Sequence, residues 1–443
     1  MSSKNIFLIL LIFYSYACKK ENEATVIIAP TVIPETPIEN NSDRPNIIVI
    51  VADDFGIDAS PGYLSSRTQM KANMPNLEKL IREGITFDNF WSAPSCTPAR
   101  AAIITGKYGL ETKVLSASDQ LNPNENTIHK IVAQQGYTNA LIGKWHLSGE
   151  NPTSSIPNSM GVDYFAGILK GQVENYNNWA LTQNGVTTIS TEYVTSKLTD
   201  LAIDWIEEQE NPWLLWLAYT APHKPFHLPP AHLHNQGNLS TNEQDIKSNP
   251  LPYYQAMAEA MDSEIGRVLN SLSAGTKENT WIIFLGDNGS PLSVTQIPNK
   301  RGKGSLYQGG INVPLIISGN KLSRKGRRTS ALINNIDLFA TIADFAGSNV
   351  RTADSRSFKP ILTGDQMIQR QHIYTELTVG SIENWTVRDA QYKFIQSSDG
   401  REEMYDLTVD PFELVNLLKT ELTQEIKNNK IELEVRAQQI RLQ

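Results

Sequence analysis

The chain has 443 residues, two cysteines and a formal net charge of -8. This length suits one large domain with a smaller one, the acidic balance argues against nucleic acid as a partner, and two cysteines exclude a disulfide framework. A mildly acidic protein can still bind an anionic substrate, provided that its cations are concentrated in one pocket.

Residues 1–17 are typical of a signal peptide, because Lys4 supplies positive charge and the apolar run that follows is too short for a permanent membrane helix. Ser15-Tyr16-Ala17-Cys18 resembles a bacterial lipobox. The sequence therefore predicts an exported bacterial lipoprotein of the cell envelope (periplasm, outer membrane or cell surface), attached to the membrane only through lipid on Cys18. A plain signal peptide with an incidental cysteine is the alternative. Residues 18–43 carry prolines and polar side chains without periodicity and are predicted to be a flexible linker.

The folded part is predicted to begin with a strand at residues 46–52, whose unbroken β-branched run is typical of a strand buried on both faces. Asp53 and Asp54 follow it directly. Open α/β sheets bind ligands at the carboxyl ends of their strands, although an Asp pair there is by itself more often a turn or a helix cap. A helix at 74–84 and a strand at 85–90 come next.

Residues 94–100 (Pro-Ser-Cys-Thr-Pro-Ala-Arg) contain helix start signals and precede an apolar run, so Cys96 is predicted at or just before the first turn of a helix. Arg100 lies one turn further on the same face. A thiol at a helix N-terminus beside a cation is placed for anionic chemistry. A lone free cysteine, in contrast, is usually a small buried hydrophobic residue.

A helix at 127–135 and a strand at 137–142 lead into Lys144 and His146. In extended chain, side chains two residues apart leave on one face. A lysine and a charged histidine there would repel each other unless an anion lay between them. The pair is therefore a candidate for anion binding, with simple exposure at a strand end as the alternative.

An amphipathic helix at 195–209 and an apolar strand at 212–219 precede a loop stiffened by proline. His223 lies in this loop just past the strand end, where functional residues are frequent. Clustered histidines can hold a transition metal, but we interpret the histidines that follow as loop residues, with His227 lining the pocket. Residues 253–272 are predicted to form a long helix.

A further buried strand is predicted at 281–285, and Asp287 and Asn288 follow it. Together with the two aspartates after the first strand they give four oxygen donors and no sulfur or imidazole. Such a set suits Ca²⁺ or Mg²⁺ better than Zn²⁺. The sequence therefore predicts a divalent metal site at this edge of the sheet.

Arg301 and Lys303 lie in a glycine-rich loop and complete the set of candidate cations. The pattern along the chain predicts an α/β catalytic domain at 44–365. A small C-terminal domain at 366–443, with short antiparallel strands and a terminal helix, is predicted to follow it. The predicted elements of this part are strands at 313–318, 373–375, 385–388, 392–396 and 403–405, and helices at 335–346 and from Glu421 onward.

Cys96-Thr97-Pro98-Ala99-Arg100 resembles the signature of type I sulfatases of the alkaline phosphatase superfamily, whose cysteine is oxidised after translation to formylglycine (3-oxoalanine). The resemblance extends from about residue 44 to 417, and it implies an alkaline phosphatase-like sandwich: a large mixed, mostly parallel sheet flanked by helices, plus the small C-terminal domain. The family usually has Arg-Gly-x-Lys-Gly, whereas Arg301 and Lys303 are one residue closer. Other matching pieces are Asp53-Asp54, Gly143-Lys144-Trp145-His146, Pro222-His223, Gly286-Asp287-Asn288-Gly289, Gly302-Lys303-Gly304-Ser305-Leu306 and Tyr405-Asp406-Leu407.

The resemblance also implies residue roles. A maturation enzyme would convert Cys96 to formylglycine, whose hydrate attacks sulfur and later releases sulfate. Arg100 and Lys144 would steady this group, and His146 would act as the base. His223 and Lys303 would bind sulfate and stabilise the leaving oxygen. The implied metal ligands are Asp53, Asp54, Cys96 as formylglycine, Asp287 and Asn288, and the implied substrate contacts are Lys144, His223, His227, Arg301 and Lys303.

The implied activity is that of a sulfuric ester hydrolase, acting on a sulfated polysaccharide or oligosaccharide such as an algal glycan or a glycosaminoglycan. Two alternatives stay open: a formylglycine-dependent phosphonate or phosphodiester hydrolase, and a non-catalytic glycan-binding lipoprotein. Tyr176, Asn177 and Trp179 could meet a sugar ring, but packing within their loop is the more frequent explanation.

Overall fold

The computed structural model describes residues 44–63, 70–210, 212–319, 321–364 and 370–442. The predicted signal peptide, the linker and Cys18 lie outside these residues, as does the predicted domain boundary between 365 and 366. None of the helices in the described ranges combines the length and the apolar character that a membrane span requires.

A ten-stranded mixed sheet forms the centre of the molecule. Its strands are β1 (Asn46–Ala52), β2 (Gly84–Trp91), β3 (Thr138–Lys144), β4 (Tyr164–Ile168), β5 (Trp179–Gln183), β6 (Val186–Ser190), β7 (Trp213–Ala218), β8 (Thr280–Gly286), β9 (Leu315–Ser318) and β10 (Arg327–Asn334). They lie in the order β10-β2-β9-β8-β1-β7-β3-β4-β5-β6. β8, β1, β7, β3 and β4 run parallel to one another, whereas β9, β5 and β6 pair antiparallel with their neighbours. The predicted mixed, mostly parallel sheet is confirmed.

β1 lies in the middle of this sheet, and its side chains alternate between two apolar cores. Ile48, Ile50 and Ala52 belong to one core and Ile47, Val49 and Val51 to the other. Full burial of each large aliphatic side chain contributes about 1.5–3 kcal/mol. An unbroken β-branched run is what a strand covered on both faces requires.

Helices cover both faces of the sheet. The core that contains Ile48 also contains apolar residues of α1, α6 and α8, and the core that contains Ile47 those of α2, α4 and α11. In the described residues the helices of this part are α1 (Pro75–Glu83), α2 (Cys96–Thr105), α3 (Gly109–Thr112), α4 (Ile128–Gln134), α5 (Ile156–Ser159), α6 (Val194–Glu207), α7 (Glu243–Ser248), α8 (Leu251–Ser271), α9 (Ala274–Glu278), α10 (Gln308–Ile311), α11 (Asp337–Phe345) and α12 (Lys359–Thr363).

The C-terminal part contains a four-stranded antiparallel sheet in the order β11-β12-β13-β14 and a terminal helix, α13, as predicted. Leu433, Ala437 and Ile440 of α13 pack in one apolar cluster with Val387 and Phe394 of the sheet. The bounds are β11 (Ile373–Val379), β12 (Ile382–Arg388), β13 (Tyr392–Ser397), β14 (Glu402–Asp406) and α13 (Gln424–Arg441).

His129 of α4 is a fully buried histidine far from any charged partner. Its ring lies 6.0 Å from that of Trp216, and neither ring nitrogen has a hydrogen-bond partner in the described part of the chain. Burial lowers the pKa of His129 to about 3. The unfolded chain binds a proton on this histidine near pH 6.5, whereas the folded chain binds it only near pH 3. His129 therefore leaves the free energy of unfolding unchanged at neutral pH and lowers it as the pH falls below about 6.5.

We expect His129→Leu to remove this acid sensitivity. Between pH 7 and pH 5 the wild-type protein should lose about 2 kcal/mol more free energy of unfolding than the variant, measured by urea unfolding at both values. Exposed His232 supplies the matched control, His232→Leu. An equal pH dependence in wild type and His129→Leu would show that burial does not hold the ring neutral.

Candidate active site

Four neighbouring parallel strands, β8, β1, β7 and β3, bring polar side chains to one edge of the sheet. This is the edge at which α/β sheets bind ligands. β2 runs in the same direction, since both β2 and β8 are antiparallel to β9, and it leads into α2. The residues that these five strands deliver are Asp53 and Asp54, Asp287 and Asn288, Lys144, His223, and Cys96 with Arg100.

Asp53 is the fully buried carboxylate around which two cations converge. Its Oδ2 accepts a hydrogen bond of 2.6 Å from Lys144 Nζ, and its Oδ1 lies 3.9 Å from Arg100 Nη2. Burial acts to raise the pKa of Asp53, but these two cations, with His223 and Lys303, hold it well below its usual range. Asp53 is therefore ionised.

Asp287 holds Arg100. Arg100 donates from Nε and Nη2 to Asp287 Oδ2, at 3.2 and 2.9 Å, and from Nη1 to the carbonyl of Lys144 at 2.9 Å. Asp287 Oδ1 accepts from the backbone N–H of Asp54 at 3.0 Å. Both oxygens of Asp287 thus already accept hydrogen bonds. They fix the guanidinium of Arg100, which is itself a residue of the helix that begins at Cys96.

Asp54 lies between an amide and a lysine. Its Oδ1 accepts from Asn288 Nδ2 at 2.7 Å and from Lys303 Nζ. The backbone of Asp54 adopts a φ of 64°, an uncommon value for a residue other than glycine. Lys303 Nζ also lies 3.3 Å from Cys96 Sγ. Lys303 is therefore the cation that connects the aspartate pair to residue 96.

The oxygens of this cluster fit a divalent cation. One ligand atom from each of Asp53, Asp54, Cys96 and His223 lies within 4.8 Å of the others. Asp53 Oδ1 and Asn288 Oδ1 are buried without a hydrogen-bond partner among the described residues, and an orphaned buried oxygen is costly unless something occupies it. Carboxylate and amide oxygens are the donors that Ca²⁺ and Mg²⁺ prefer. Asp287, whose oxygens are engaged, is the least available of the four predicted oxygen ligands.

Cys96 is the first residue of α2, as predicted, with Ser95 in extended conformation before it. Its thiol is 2% exposed. Burial raises the pKa of the Cys96 thiol, and the neighbouring Lys144 and Lys303 do not offset this. The expectation from the sequence, that the helix end and a cation would favour an anionic thiol, is outweighed by desolvation. An unmodified Cys96 is a buried neutral thiol, which is a poor nucleophile.

His223 faces the cluster from the loop after β7. Its Nδ1 lies 2.7 Å from the carbonyl of Lys224, and because a carbonyl only accepts, Nδ1 carries the proton. Its Nε2 lies 3.6 Å from Asp54 Oδ2. Burial lowers the pKa of His223 although Asp53 and Asp54 act to raise it. The neutral ring therefore presents a lone pair at Nε2 toward the aspartates.

The sequence argument assumed that His146 lies in extended chain, and this assumption is wrong. β3 ends at Lys144, and His146 adopts a φ of 52°, so the alternation rule does not apply to this pair. Its Nδ1 is buried without a described hydrogen-bond partner, and burial, followed by Lys144 and Arg100, lowers the pKa of His146 to about 2. A Cβ on Gly171 would lie 2.5 Å from the His146 ring. Gly171 thus leaves room for the ring, which nothing in the sequence indicated.

The other two predicted substrate contacts lie in different surroundings. Arg301 lies over the Tyr307 ring at 3.8 Å and donates to the carbonyl of Glu413; its described polar contacts are with the C-terminal part of the chain. His227 packs against Tyr176 with ring centres 4.2 Å apart, and both of its ring nitrogens have hydrogen-bond partners. His227 lines a cavity beside His223.

Sequence reasoning missed the residues that support the aspartates. Tyr254 of α8 donates from its hydroxyl to the carbonyl of Asp54 at 2.8 Å. Ser290 lies 3.2 Å from the same hydroxyl and donates to buried Asp58 at 2.7 Å. Asp58 lies near the aspartate pair in the chain. The sequence carries no signal, however, that Tyr254 would reach across 200 residues to the carbonyl of Asp54.

A buried cluster of carboxylates and cations at the carboxyl edge of a helix-covered, mostly parallel sheet defines a binding site for an anionic ligand. The profile of the family described as "Sulfatase" matches residues 45–348, and that described as "N-sulphoglucosamine sulphohydrolase, C-terminal" matches residues 301–441. The chain belongs to the sulfatase family and is a sulfuric ester hydrolase.

Relatives of the chain include sulfatases named for glycan substrates. It is 26% identical to N-acetylglucosamine-6-O-sulfatase of Bacteroides thetaiotaomicron, over 90% of this chain and 88% of that one. It is 25% identical to the ulvan-active sulfatase of Formosa agariphila, over 86% and 78% of the two chains. The crystal structure of Ps i-CgsB in complex with k-i-k-neocarrahexaose superposes with a TM-score of 0.74 at 25% identity, covering 88% of this chain and 92% of that one.

Proposed function

We propose that the protein removes sulfate from a sulfated polysaccharide or oligosaccharide, an algal glycan or a glycosaminoglycan, with Cys96 converted to formylglycine by a maturation enzyme. The observation that carries the proposal is the convergence of Cys96, the aspartate pair, buried Arg100 and Lys144, and half-buried Lys303 on one centre. Relatives named for N-acetylglucosamine-6-sulfate and ulvan, and a similar structure that holds a carrageenan oligosaccharide, support the substrate class.

We propose Asp53, Asp54, Asn288 and residue 96 as the ligands of a Ca²⁺ ion, with Mg²⁺ as the alternative and Asp287 as a further ligand. Such an ion supplies Lewis acidity and orients an oxygen of the sulfate group. The formylglycine hydrate supplies an oxygen nucleophile at the start of α2.

The protein's own residues bind the anion and move protons. Lys144 and Arg100, held by Asp53 and Asp287, place positive charge beside residue 96. Lys303 Nζ, 3.3 Å from Cys96 Sγ, is placed to contact the sulfate group. His223 Nε2 is placed to bind sulfate and serve the leaving oxygen once this nitrogen takes up a proton, which the neighbouring Asp53 and Asp54 favour. His146, whose buried Nδ1 has no described hydrogen-bond partner, is the proposed base.

Removal of divalent cations should destabilise the protein. Asp53 and Asp54 lie side by side in the cluster, so a bound cation relieves their repulsion and stabilises the native state by mass action. We expect EDTA-treated, dialysed protein to gain several degrees in Tm when 1 mM Ca²⁺ is added, by a ligand effect of about 2–4 kcal/mol. Asn288→Leu, which removes a neutral ligand while keeping the size, should reduce the gain. A Tm that does not respond to Ca²⁺ or Mg²⁺ in wild type would contradict the site.

The decisive test of the function is sulfate release from a panel of sulfated carrageenan, ulvan and glycosaminoglycan oligosaccharides. The protein is produced with and without a formylglycine-generating enzyme, and conversion of Cys96 is quantified by peptide mass. Release in proportion to conversion establishes the reaction and identifies the sugar. Full conversion without release would shift the function to phosphonate or phosphodiester substrates, or to glycan binding without catalysis.

We also propose that the protein is exported and held at the cell envelope by lipid on Cys18. The support is the sequence before residue 19 and the extracellular nature of sulfated polysaccharides. Membrane fractionation of wild type against Cys18→Ala, followed by peptide mass analysis of the mature N-terminus, distinguishes a lipoprotein from a plainly secreted protein.

A further inference from the structure

A cavity of about 720 Å³ lies beside His223. Its walls come from three segments of the chain, at 174–177, 224–227 and 241–250, with Ser293 at one side. The volume falls within the range of about 300–1,000 Å³ that is usual for pockets that bind small ligands. The catalytic scheme leaves this cavity without a role.

The cavity is joined to the catalytic centre by direct contacts. Tyr176, in one wall, donates from its hydroxyl to the carbonyl of His223 at 2.7 Å. The backbone carbonyl of Lys224, a residue of another wall, accepts from His223 Nδ1. Phe226 meets Tyr254 edge to face with ring centres 5.9 Å apart, and Tyr254 in turn holds Asp54. Two of the three walls are therefore in direct contact with the residues of the catalytic centre.

The residues that line this cavity include aromatic rings and exposed amides, beside two lysines and two glutamates. Phe226 and His227 are only partly buried, and Asn175 and Asn177 are exposed. The side chain of Asn177 has no hydrogen-bond partner within the described ranges, since only its backbone N–H is engaged, by Asn175 Oδ1. A free amide offers two donors and an acceptor, and aromatic rings offer flat apolar area. Ring hydroxyls and the C–H face of a pyranose are the chemical match for this combination.

We infer that the cavity is the binding site for a second sugar ring, adjacent to the ring that carries the reacting sulfate. The inference rests on the proposed function for the identity of the first ring. It makes an oligosaccharide, rather than a monosaccharide or an aryl sulfate, the substrate of this protein. Binding energy from the second ring is gained away from the sulfur and supports the reaction there.

The test compares Asn177→Ala with Asn178→Ala, an exposed neighbouring amide that does not line the cavity. Phe226→Leu, which keeps an apolar side chain and removes the ring, is the second variant. On the best sulfated tetrasaccharide of the carrageenan, ulvan and glycosaminoglycan panel, Asn177→Ala and Phe226→Leu should lower kcat/KM about 10-fold, which corresponds to about 1.4 kcal/mol. On the matching monosaccharide sulfate, Asn177→Ala and Asn178→Ala should equal the wild type within twofold.

Calorimetric titration of the same tetrasaccharide into Cys96→Ala protein gives a readout that does not need turnover. Binding at least tenfold tighter than that of the monosaccharide, and weakened by Asn177→Ala but not by Asn178→Ala, supports the inference. Equal binding of both sugars, or equal behaviour of the two asparagine variants, overturns it while sulfatase activity stands. Discriminating binding without sulfate release from any substrate overturns the proposed function and leaves the sugar site.

Discussion

Cys96→Ala is expected to abolish sulfate release, lowering kcat by about 10³-fold or more, as removal of a covalent nucleophile does in other hydrolases. Alanine cannot be converted to an aldehyde, so the side chain at the start of α2 no longer offers an oxygen. The neighbouring charges remain, because Asp53, Arg100 and Lys144 are held by one another and not by the thiol. The measurement is sulfate release by protein produced with the maturation enzyme.

The fold should tolerate this change. The Cys96 thiol is small and buried, and its described polar contact is with Lys303, so we expect the urea midpoint of the variant to stay close to that of the wild type. Ca²⁺ should still raise its Tm, since three of the four proposed ligands remain. Residual turnover of the variant above about a tenth of that of fully converted wild type would contradict a nucleophilic role for residue 96.

Much of the fold could be predicted because the central strands are unambiguous in sequence. β1, β3, β7 and β8 are short apolar runs bounded by polar residues, and the structure places them side by side with their polar ends at one edge. Helices α1, α6, α8 and α11 follow amphipathic patterns and lie within a few residues of their predicted bounds.

The sequence did not reveal β4, which lies inside the large sheet between β3 and β5, nor the strands near its two borders. β5 and β6 form a hairpin at one edge, and four of the five residues of β6 are exposed, so no apolar run marks it. β10 lies at the other edge and begins with Arg327-Arg328-Thr329-Ser330. Edge strands need only one neighbour and can carry polar side chains, which weakens the sequence signal.

Within the site, the sequence indicated which residues meet but not how their charges are arranged. The carboxylates and cations alternate in space: Lys144 contacts Asp53, Arg100 contacts Asp287, and Lys303 contacts Asp54. These pairings join residues separated by 91, 187 and 249 positions, a distance at which spacing in the chain carries no information. The same burial that makes the pairs strong keeps the Cys96 thiol neutral, which only the folded structure shows.

A further buried ion pair, outside the site, supports the loop that carries Lys303. Lys393 of β13 donates to Glu413 Oε1 at 2.5 Å and to the carbonyl of Leu306 at 2.6 Å. Glu413 Oε2 accepts from the backbone N–H of Gln308 at 2.6 Å. Both side chains are at most 1% exposed, and burial lowers the pKa of Lys393 to about 8 despite its partner. The C-terminal part thereby fixes the segment that follows Lys303.

Glu413→Ala is therefore expected to lower the free energy of unfolding by about 3–5 kcal/mol, because it leaves a buried ammonium without a counter-charge. Lys393→Met combined with Glu413→Gln removes both charges and keeps an acceptor for the Gln308 N–H, so the double variant should recover more than half of that loss in urea unfolding. The single variant should also lose turnover more than substrate affinity, since the segment after Lys303 loosens. A loss below about 1 kcal/mol in Glu413→Ala, or a double variant no more stable than the single one, would mean that the pair does not hold this loop.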